Sequence, residues 1–228
     1  MSKVIEIEDM TLVLGGRKIL NIPYFCVEAE EAISFMGPNG AGKSSLMLIM
    51  ATLLEPTTGT VHLFGKKIKE QTLLDLRRRM AMVFQKPMML DLTVLENVEV
   101  GLKFRNMKRK ERKRQVEPWL EKLSIAHLAR QRARSLSGGE AQRVAIAQAL
   151  VLQPEIIFFD EPFSNLDKDT RQELMEDLTG LLRQQKITTV MVSHHKREAL
   201  TLTDTIYYME DGEIVNQEKV AQRRVPDR

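Results

Sequence analysis

The sequence predicts an α/β fold with a mainly parallel sheet, because continuous apolar runs alternate with amphipathic helical segments. The apolar runs are AISFMG, EIIFFDEP and TTVMVSHH, in that order along the chain. KSSLMLIMATLL and KDTRQELMEDLTGLLRQQ show the helical period, and the second aligns Leu174, Leu178, Leu181 and Leu182 on one face. Strands that are apolar throughout are typical of sheets covered by helices on both faces.

Shorter signals complete the predicted organisation. The alternating runs KVIEIED and TVHLFG indicate an N-terminal antiparallel β region, and TIYYMEDGEIV indicates a hairpin that turns at Asp211-Gly212. From about Lys86 to Gln153 the sequence lacks strand patterns and reads as helices. We therefore expect a single domain over residues 1–228, with an α/β core at 1–85 and 154–228 and an inserted helical subdomain at 86–153.

Composition narrows the class of protein. The chain has 228 residues, a net charge of +3 and a single cysteine, Cys26. The first segment, MSKVIEIEDM, is unlike a signal peptide, and no run of about 18 uncharged apolar residues occurs. We therefore expect a cytosolic protein that does not span a membrane by itself. The balanced charge gives no reason to expect nucleic acid as a partner.

A predicted strand, a glycine-rich turn and a helix follow one another in EAISFMGPNGAGKSSLMLIM, which carries the pattern G-x-x-x-x-G-K-[ST]. Backbone amides in such a loop bind phosphate, Lys43 can reach the β- and γ-phosphates, and the Ser44 hydroxyl can ligate Mg²⁺. The pattern predicts an ATP or GTP site on a P-loop NTPase core. Its predicted nucleotide-binding residues are Gly37, Pro38, Asn39, Gly40, Ala41, Gly42, Lys43, Ser44 and Ser45.

Two carboxylates end one of the predicted buried strands. Asp160 and Glu161 close EIIFFDEP, so we expect them at the carboxyl edge of a parallel sheet, where the ligands of α/β folds bind. Asp160 suits Mg²⁺, directly or through water, and Glu161 suits the activation of an attacking water. The alternative is that the two acids only cap the strand end.

The stretch LSGGE has the features of a second phosphate site, since a hydroxyl residue and two glycines precede a helical pattern. One nucleotide is not easily cradled twice from the same side. We therefore expect two copies of the chain to pair head to tail around ATP. In that dimer Ser137 and the amides of Gly138 and Gly139 would meet the γ-phosphate held by the partner's Lys43.

With these sites in order, the chain resembles the nucleotide-binding subunits of ABC transporters over essentially its whole length. GPNGAGKS corresponds to the family's Walker A motif, Gln85 in MVFQKP to the Q-loop, LSGGE to the signature, IIFFDEP to Walker B, SNLD to the D-loop, and His194 in MVSHH to the switch histidine. The resemblance implies Mg²⁺-dependent ATP hydrolysis, in which Glu161 polarises water and His194 contacts the γ-phosphate. It also implies that Gln85 reaches Mg²⁺ or water and that Asp167 crosses the dimer interface. The expected metal ligands are Ser44, Gln85 and Asp160.

Two positions depart from the family pattern. Glu140 stands where the signature commonly ends in Gln, and its charge would repel a nearby triphosphate. Leu14 stands where the family commonly has an aromatic residue that stacks on adenine, so GTP is a competitor to test.

The resemblance implies partners as well. Integral-membrane permease subunits would dock on the apolar Met88, Met89 and Leu90 after the Q-loop, for which ordinary core packing is the alternative. A solute-binding protein would complete an importer, and the chain would be cytoplasmic and peripheral on the inner face of the cell membrane. The basic run Lys103–Arg114 is interpreted as a solvated helix face, with anionic lipid or nucleic acid as alternative contacts.

One segment suggests a transported substrate. RRRMAMVFQKPMMLDLTVLENVEVGLKFR is most similar to the ATPases of bacterial oxyanion importers of the tungstate and molybdate type. Two other classes stay open. One is a soluble ABC ATPase without a transport role, such as the cluster-assembly type. The other is a P-loop kinase, which gives no reason for LSGGE.

Overall fold

The computed structural model describes residues 2–220, which fall into two compact units. One unit comprises the residues up to Leu76 and those from Lys186 onward, and the other comprises Arg77–Gln185. The strands are β1 (Lys3–Leu14), β2 (Arg17–Glu28), β3 (Ala32–Met36), β4 (Thr58–Leu63), β5 (Lys66–Lys67), β6 (Met80–Val83), β7 (Ile156–Asp160), β8 (Thr188–Val192), β9 (Thr205–Glu210) and β10 (Glu213–Lys219). The helices are α1 (Lys43–Met50), α2 (Glu70–Arg78), α3 (Val94–Phe104), α4 (Arg109–Lys122), α5 (Gly138–Leu150), α6 (Lys168–Gln184) and α7 (Lys196–Leu202).

The first unit holds two sets of paired strands. β2, β1, β4 and β5 form an antiparallel sheet in that order. Ile5 and Ile7 of β1 are fully buried while Glu8 is exposed, which is the alternation expected of a sheet with one wet face. β3 pairs in parallel with β8 on one side and β9 on the other, and β10 pairs antiparallel with β9. All five β8 residues are buried, with α1 and α7 packed on these strands.

The second unit combines a parallel strand pair with helices. β6 and β7 pair in register so that Val83 faces Phe159. α3, α4 and α5 pack on one another, and α6 packs on α5. Between residues 86 and 153, all of which the structure describes, the regular elements are helical. On α6 the predicted apolar face is buried at Leu174, Leu178 and Leu182.

The predicted α/β fold class is confirmed, and the three apolar runs correspond to β3, β7 and β8. The Asp211-Gly212 hairpin is also present, with positive φ at both turn residues. Three strands were not predicted: β2, the two-residue β5 and the four-residue β6. The prediction for α1 was too long, because Thr52 adopts a left-handed conformation with φ of 61° and the helix ends at Met50. Within residues 2–220 no helix has both the length and the apolar character needed to cross a bilayer.

Candidate active site

The glycine-rich loop lies between the end of β3 and the start of α1. Its lysine turns back over the loop, where Lys43 Nζ donates to the carbonyl oxygens of Gly37 at 2.9 Å and Pro38 at 2.8 Å. Lys43 is 5% exposed, so its charge is concentrated inside the loop rather than in solvent. A buried ammonium group needs such hydrogen-bond partners. The Lys43 ammonium gives the loop a fixed positive charge that attracts anions.

At two positions of the loop, the structure shows a reason for glycine that the sequence did not show. A Cβ at Gly37 would lie 2.1 Å from the carbonyl oxygen of Met209, and a Cβ at Gly42 would lie 2.5 Å from Leu20 Cδ2. Both residues also have positive φ, as does Gly40. At Gly40 no atom lies within 4 Å of the position of a Cβ. Gly37 and Gly42 therefore allow the loop to pack against neighbouring strands, whereas at Gly40 the positive φ alone favours glycine.

α1 presents its N-terminus to this loop. Its N-cap is Gly42, which makes no side-chain cap bond. The positive end of the helix dipole therefore faces the loop without a capping side chain, as in helix N-termini that bind phosphate. Of the other predicted binding residues, Pro38 and Asn39 are exposed, Ala41 is buried, and Ser44 and Ser45 are half-buried.

His194 lies at the same sheet edge as the loop. β3 and β8 are parallel, Phe35 faces Val192, and the Ser193 amide donates to the Phe35 carbonyl oxygen at 3.3 Å. The next residue, His194, is exposed. The structure thus brings the predicted switch histidine and the glycine-rich loop to one edge of the first unit.

In the second unit, Gln85 and Glu161 meet at the carboxyl ends of β6 and β7. Gln85 Nε2 donates to Glu161 Oε2 at 3.1 Å and to Ser164 Oγ at 3.3 Å. Asn165 Nδ2 in turn donates to the Gln85 carbonyl oxygen at 3.2 Å. Ser164 and Asn165 belong to the SNLD stretch, and no local pattern in the sequence predicted this role for them. They connect the Q-loop glutamine to the turn that follows the acidic strand end.

The backbone at Glu161 is unusual, with φ of 46°. Such a left-handed conformation is uncommon for a residue that is not glycine and is stabilised here by the turn that follows. Both the amide and the hydroxyl of Ser164 donate to the Glu161 carbonyl oxygen, at 3.2 and 3.1 Å. Asp160, one residue earlier, is half-buried at the end of β7. The two acids therefore occupy the strand end as predicted, with Glu161 held on both its backbone and its side chain.

The signature segment begins α5 with a capping box. Ser137 is the N-cap, and Glu140 Oε2 accepts from both the amide and the hydroxyl of Ser137 at 2.8 Å. The Glu140 amide donates back to Ser137 Oγ at 3.4 Å. The backbone and side-chain hydrogen bonds from Ser137 lower the pKa of Glu140 below its usual value. The residue that departs from the family pattern therefore bonds directly to the signature serine.

The starts of α5 and α6 contact each other at Gly139, and Asp167 caps α6 beside this contact. A Cβ at Gly139 would lie 2.6 Å from Thr170 Cγ2, so the close packing of these helices requires glycine there. Asp167 is the N-cap of α6 and accepts from the amides of Asp169 at 3.1 Å and Thr170 at 3.0 Å. Hydrogen bonds from Thr170 lower the pKa of Asp167. Ser137, Gly138, Gly139 and Asp167 also line one cavity of about 600 Å³.

The predicted metal ligands have suitable chemistry. Ser44 offers a hydroxyl, Asp160 a carboxylate and Gln85 an amide oxygen, and Mg²⁺ prefers oxygen donors. Because Gln85 Nε2 donates to Glu161, its Oε1 is the atom that can face a cation or water. Each of the three side chains therefore offers an oxygen atom of the kind that Mg²⁺ prefers.

Comparison with known proteins identifies the family. The sequence profile described as "ABC transporter" matches residues 20–164. This chain belongs to the ABC transporter family. The matched part includes the glycine-rich loop, the Q-loop, the signature and the acidic strand end, whereas most of SNLD and the switch histidine His194 lie beyond it.

Individual members of the ABC transporter family are similar over most of the chain. The molybdate/tungstate import ATP-binding protein WtpC of Thermococcus kodakarensis is 37% identical over 192 residues, covering 84% of this chain and 58% of that protein. The Fe(3+) ions import ATP-binding protein FbpC of Photobacterium profundum is 32% identical over 204 residues, covering 89% and 58%. The chain thus spans under two thirds of the length of these relatives.

Solved structures share the fold. The ATP-binding cassette MJ0796, in a dimeric post-hydrolysis state bound to ADP and Pi, has a TM-score of 0.85 at 32% identity. The similarity covers 96% of this chain and 100% of that one.

Proposed function

We propose that this chain binds and hydrolyses ATP as the energy-supplying subunit of an ABC importer. The observation that carries the proposal is the hydrogen bond between Gln85 and Glu161, which holds a carboxylate at the strand end where a general base is expected. Family membership and the phosphate loop around Lys43 support the same conclusion.

In the proposed reaction, the loop amides and Lys43 hold the β- and γ-phosphates of ATP. Glu161 accepts a proton from the attacking water as the water oxygen bonds to the γ-phosphorus and the bond to the ADP oxygen breaks. Gln85 orients Glu161, and His194 contacts the γ-phosphate. Mg²⁺, when bound by Ser44, Gln85 and Asp160, would neutralise charge on the phosphates.

A homodimer with ATP at its interface is part of the proposal. Ser137 and Gly138 are exposed at the start of α5, as a surface that receives a nucleotide from a second copy requires. In this dimer Ser137, Gly138 and Gly139 would face the γ-phosphate held by the other copy, and Asp167 would lie at the interface. The dimeric state of the structurally similar cassette MJ0796 supports this arrangement.

Permease subunits are the proposed membrane partners, and their docking surface would flank the Q-loop residue Gln85. Phe84 is 40% exposed, Met88 80% and Leu90 48%, whereas Met89 is half-buried. Three exposed apolar side chains within seven residues form an adaptable patch suited to a partner helix. With a permease bound, the chain would be peripheral on the cytoplasmic face of the membrane.

An oxyanion such as molybdate or tungstate is the proposed substrate, delivered by a solute-binding protein. The similarity to WtpC supports this choice, while the similarity to FbpC makes ferric iron the competing one. Leu14, which is 49% exposed on β1, offers adenine an apolar contact in place of a stacked ring, and GTP should be compared with ATP.

The proposal is tested by purifying the tagged chain from its native membranes in a mild detergent. A polytopic membrane protein should co-purify in stoichiometric amount, and Met88→Glu should abolish its recovery. Leu74→Glu changes an exposed leucine of similar size outside this patch and should leave recovery unchanged. A companion that is purely soluble would contradict the importer function and favour an assembly ATPase.

A further inference from the structure

The turn between α3 and α4 carries an unusual surface, which we name the basic patch and define as Phe104, Lys108, Arg109, Lys110 and Arg114. Phe104 ends α3 and is 78% exposed. A tight turn with positive φ at Asn106 then leads directly into the basic start of α4. The exposed ring of Phe104 is therefore followed, four to ten residues later, by four exposed cations.

Other bases of the same segment already have partners inside the second unit. Glu99 pairs with Lys103 at 2.9 Å and with Arg112 at 3.1 Å. Arg105 donates to the carbonyl oxygens of Leu152 and Arg78. These contacts hold the segment to its own unit. Lys103, Arg105 and Arg112 therefore stabilise the fold of that unit.

The four cations of the basic patch have no such role. Within residues 2–220, no carboxylate forms an ion pair with any of them. Lys108 is the N-cap of α4 without a side-chain cap bond, and Arg109 and Lys110 outnumber the one acid of its first turn, Glu111. Positive charge at this end opposes the helix dipole and lowers helix stability. The folding of α4 therefore does not explain why the bases stand there.

We infer that the basic patch binds an anionic phospholipid surface, with Phe104 entering the boundary between headgroups and acyl chains and the four bases contacting lipid phosphates. Clustered bases beside an exposed apolar side chain are the combination that favours such surfaces. A bilayer fits better than nucleic acid, because the patch offers a single exposed ring rather than a stacking series and the chain carries a net charge of only +3. The choice of lipid also rests on the proposed function, which places the chain beside a membrane.

Flotation of the purified full chain with lipid vesicles tests the inference. The chain should bind phosphatidylcholine vesicles that contain phosphatidylglycerol, not vesicles of phosphatidylcholine alone, and added salt should weaken binding. The triple variant Lys108→Gln, Arg109→Gln, Lys110→Gln should lower the partition coefficient on the order of a hundredfold, since each base near an anionic surface contributes about fivefold. Phe104→Ser should lower it about tenfold.

The control is the variant Lys66→Gln, Lys67→Gln, Lys69→Gln, which removes the same charge from exposed positions elsewhere and should bind like the unmodified chain. All variants should keep their ATPase activity in solution. The inference would be overturned if the chain bound neutral vesicles as well as anionic ones, or if both triple variants lost the same amount of binding. Displacement of the chain from vesicles by a short DNA duplex would also overturn it. If a permease co-purifies but vesicles are not bound, the proposed function stands and the basic patch inference fails.

Discussion

The side-chain amide of Gln85 lies 3.1 Å from the carboxylate of Glu161, although 76 residues separate them in sequence. A hydrogen bond to a charged acceptor stabilises its geometry by about 1.5–3 kcal/mol. The contact therefore selects one orientation of Glu161 among those that a half-exposed carboxylate could adopt. In the proposed reaction this orientation decides whether the carboxylate faces the attacking water.

Gln85→Ala should lower kcat for ATP by about tenfold, because Glu161 loses the bond that orients it. Nucleotide affinity should fall less, because Lys43 and the loop amides still hold the phosphates. Asn165→Ala is the matched control, since it removes the bond to the Gln85 carbonyl oxygen and leaves the Gln85 amide in place. The kcat of Asn165→Ala should fall by less than that of Gln85→Ala. Steady-state phosphate release and nucleotide titration separate the two effects. A larger loss in Asn165→Ala than in Gln85→Ala would contradict this role of the glutamine.

Gly139→Ala should destabilise the chain by about 1–3 kcal/mol, because its methyl group meets Thr170 Cγ2. In a chain of this size, each kcal/mol corresponds to about 2–4 °C in Tm. Adding Thr170→Ser removes the opposing methyl group and should restore most of the loss, as measured by thermal unfolding. An equally low Tm in the double variant would show that the contact between α5 and α6 is not the cause.

Glu140→Gln should keep the stability of α5 and raise the apparent affinity for ATP a few-fold. Glutamine can accept the same bonds from Ser137, so the capping box remains while the negative charge beside the proposed γ-phosphate site is lost. Glu140→Ala, which removes the box, should lower Tm. ATP titrations that give the same affinity for Glu140→Gln and the unmodified chain would show that the charge does not act on the nucleotide.

Asn97→Ala should lower the free energy of unfolding by about 1–3 kcal/mol, because the Leu90 amide loses its partner and three carbonyl oxygens keep only their backbone donors. Asn97 accepts from the Leu90 amide and donates to the carbonyl oxygens of Leu90, Leu92 and Thr93. It therefore holds the segment that follows the proposed docking surface. Asn97→Asp should be no more stable than Asn97→Ala, since the second carboxylate oxygen would face those carbonyl oxygens and could not donate to them. Urea unfolding with both variants near the unmodified value would refute this account.

Local patterns explain what could be predicted from the sequence. The glycine-rich loop, its strand and its helix are contiguous, so one segment contains all the information for that part of the fold. β2 was missed because Pro23 argues against a strand and because its pairing with β1 shifts register near both strand ends, which interrupts the alternation. β6 has only four residues, too few for a periodic pattern.

The site shows the same division between local and distant contacts. The Ser137–Glu140 box was visible as an S-x-x-E pattern before a helix, a signal that sequence analysis read only as a departure from the family. The contacts of Gly37 with Met209 and of Gly139 with Thr170 join distant segments. No local pattern could predict them, and they change the reason why glycine stands at those positions.

The most direct test of the central claim is the Glu161→Gln variant, studied by phosphate release and by light scattering with and without ATP. The account predicts ATP binding within a few-fold of the unmodified chain, turnover reduced by about 10²–10⁴, and a molecular mass that doubles in ATP. Adding Lys43→Ala to the variant should abolish both binding and dimerisation. Near-normal turnover in Glu161→Gln, or a monomer at saturating ATP, would contradict the claim that Glu161 activates water in an ATP-bound homodimer.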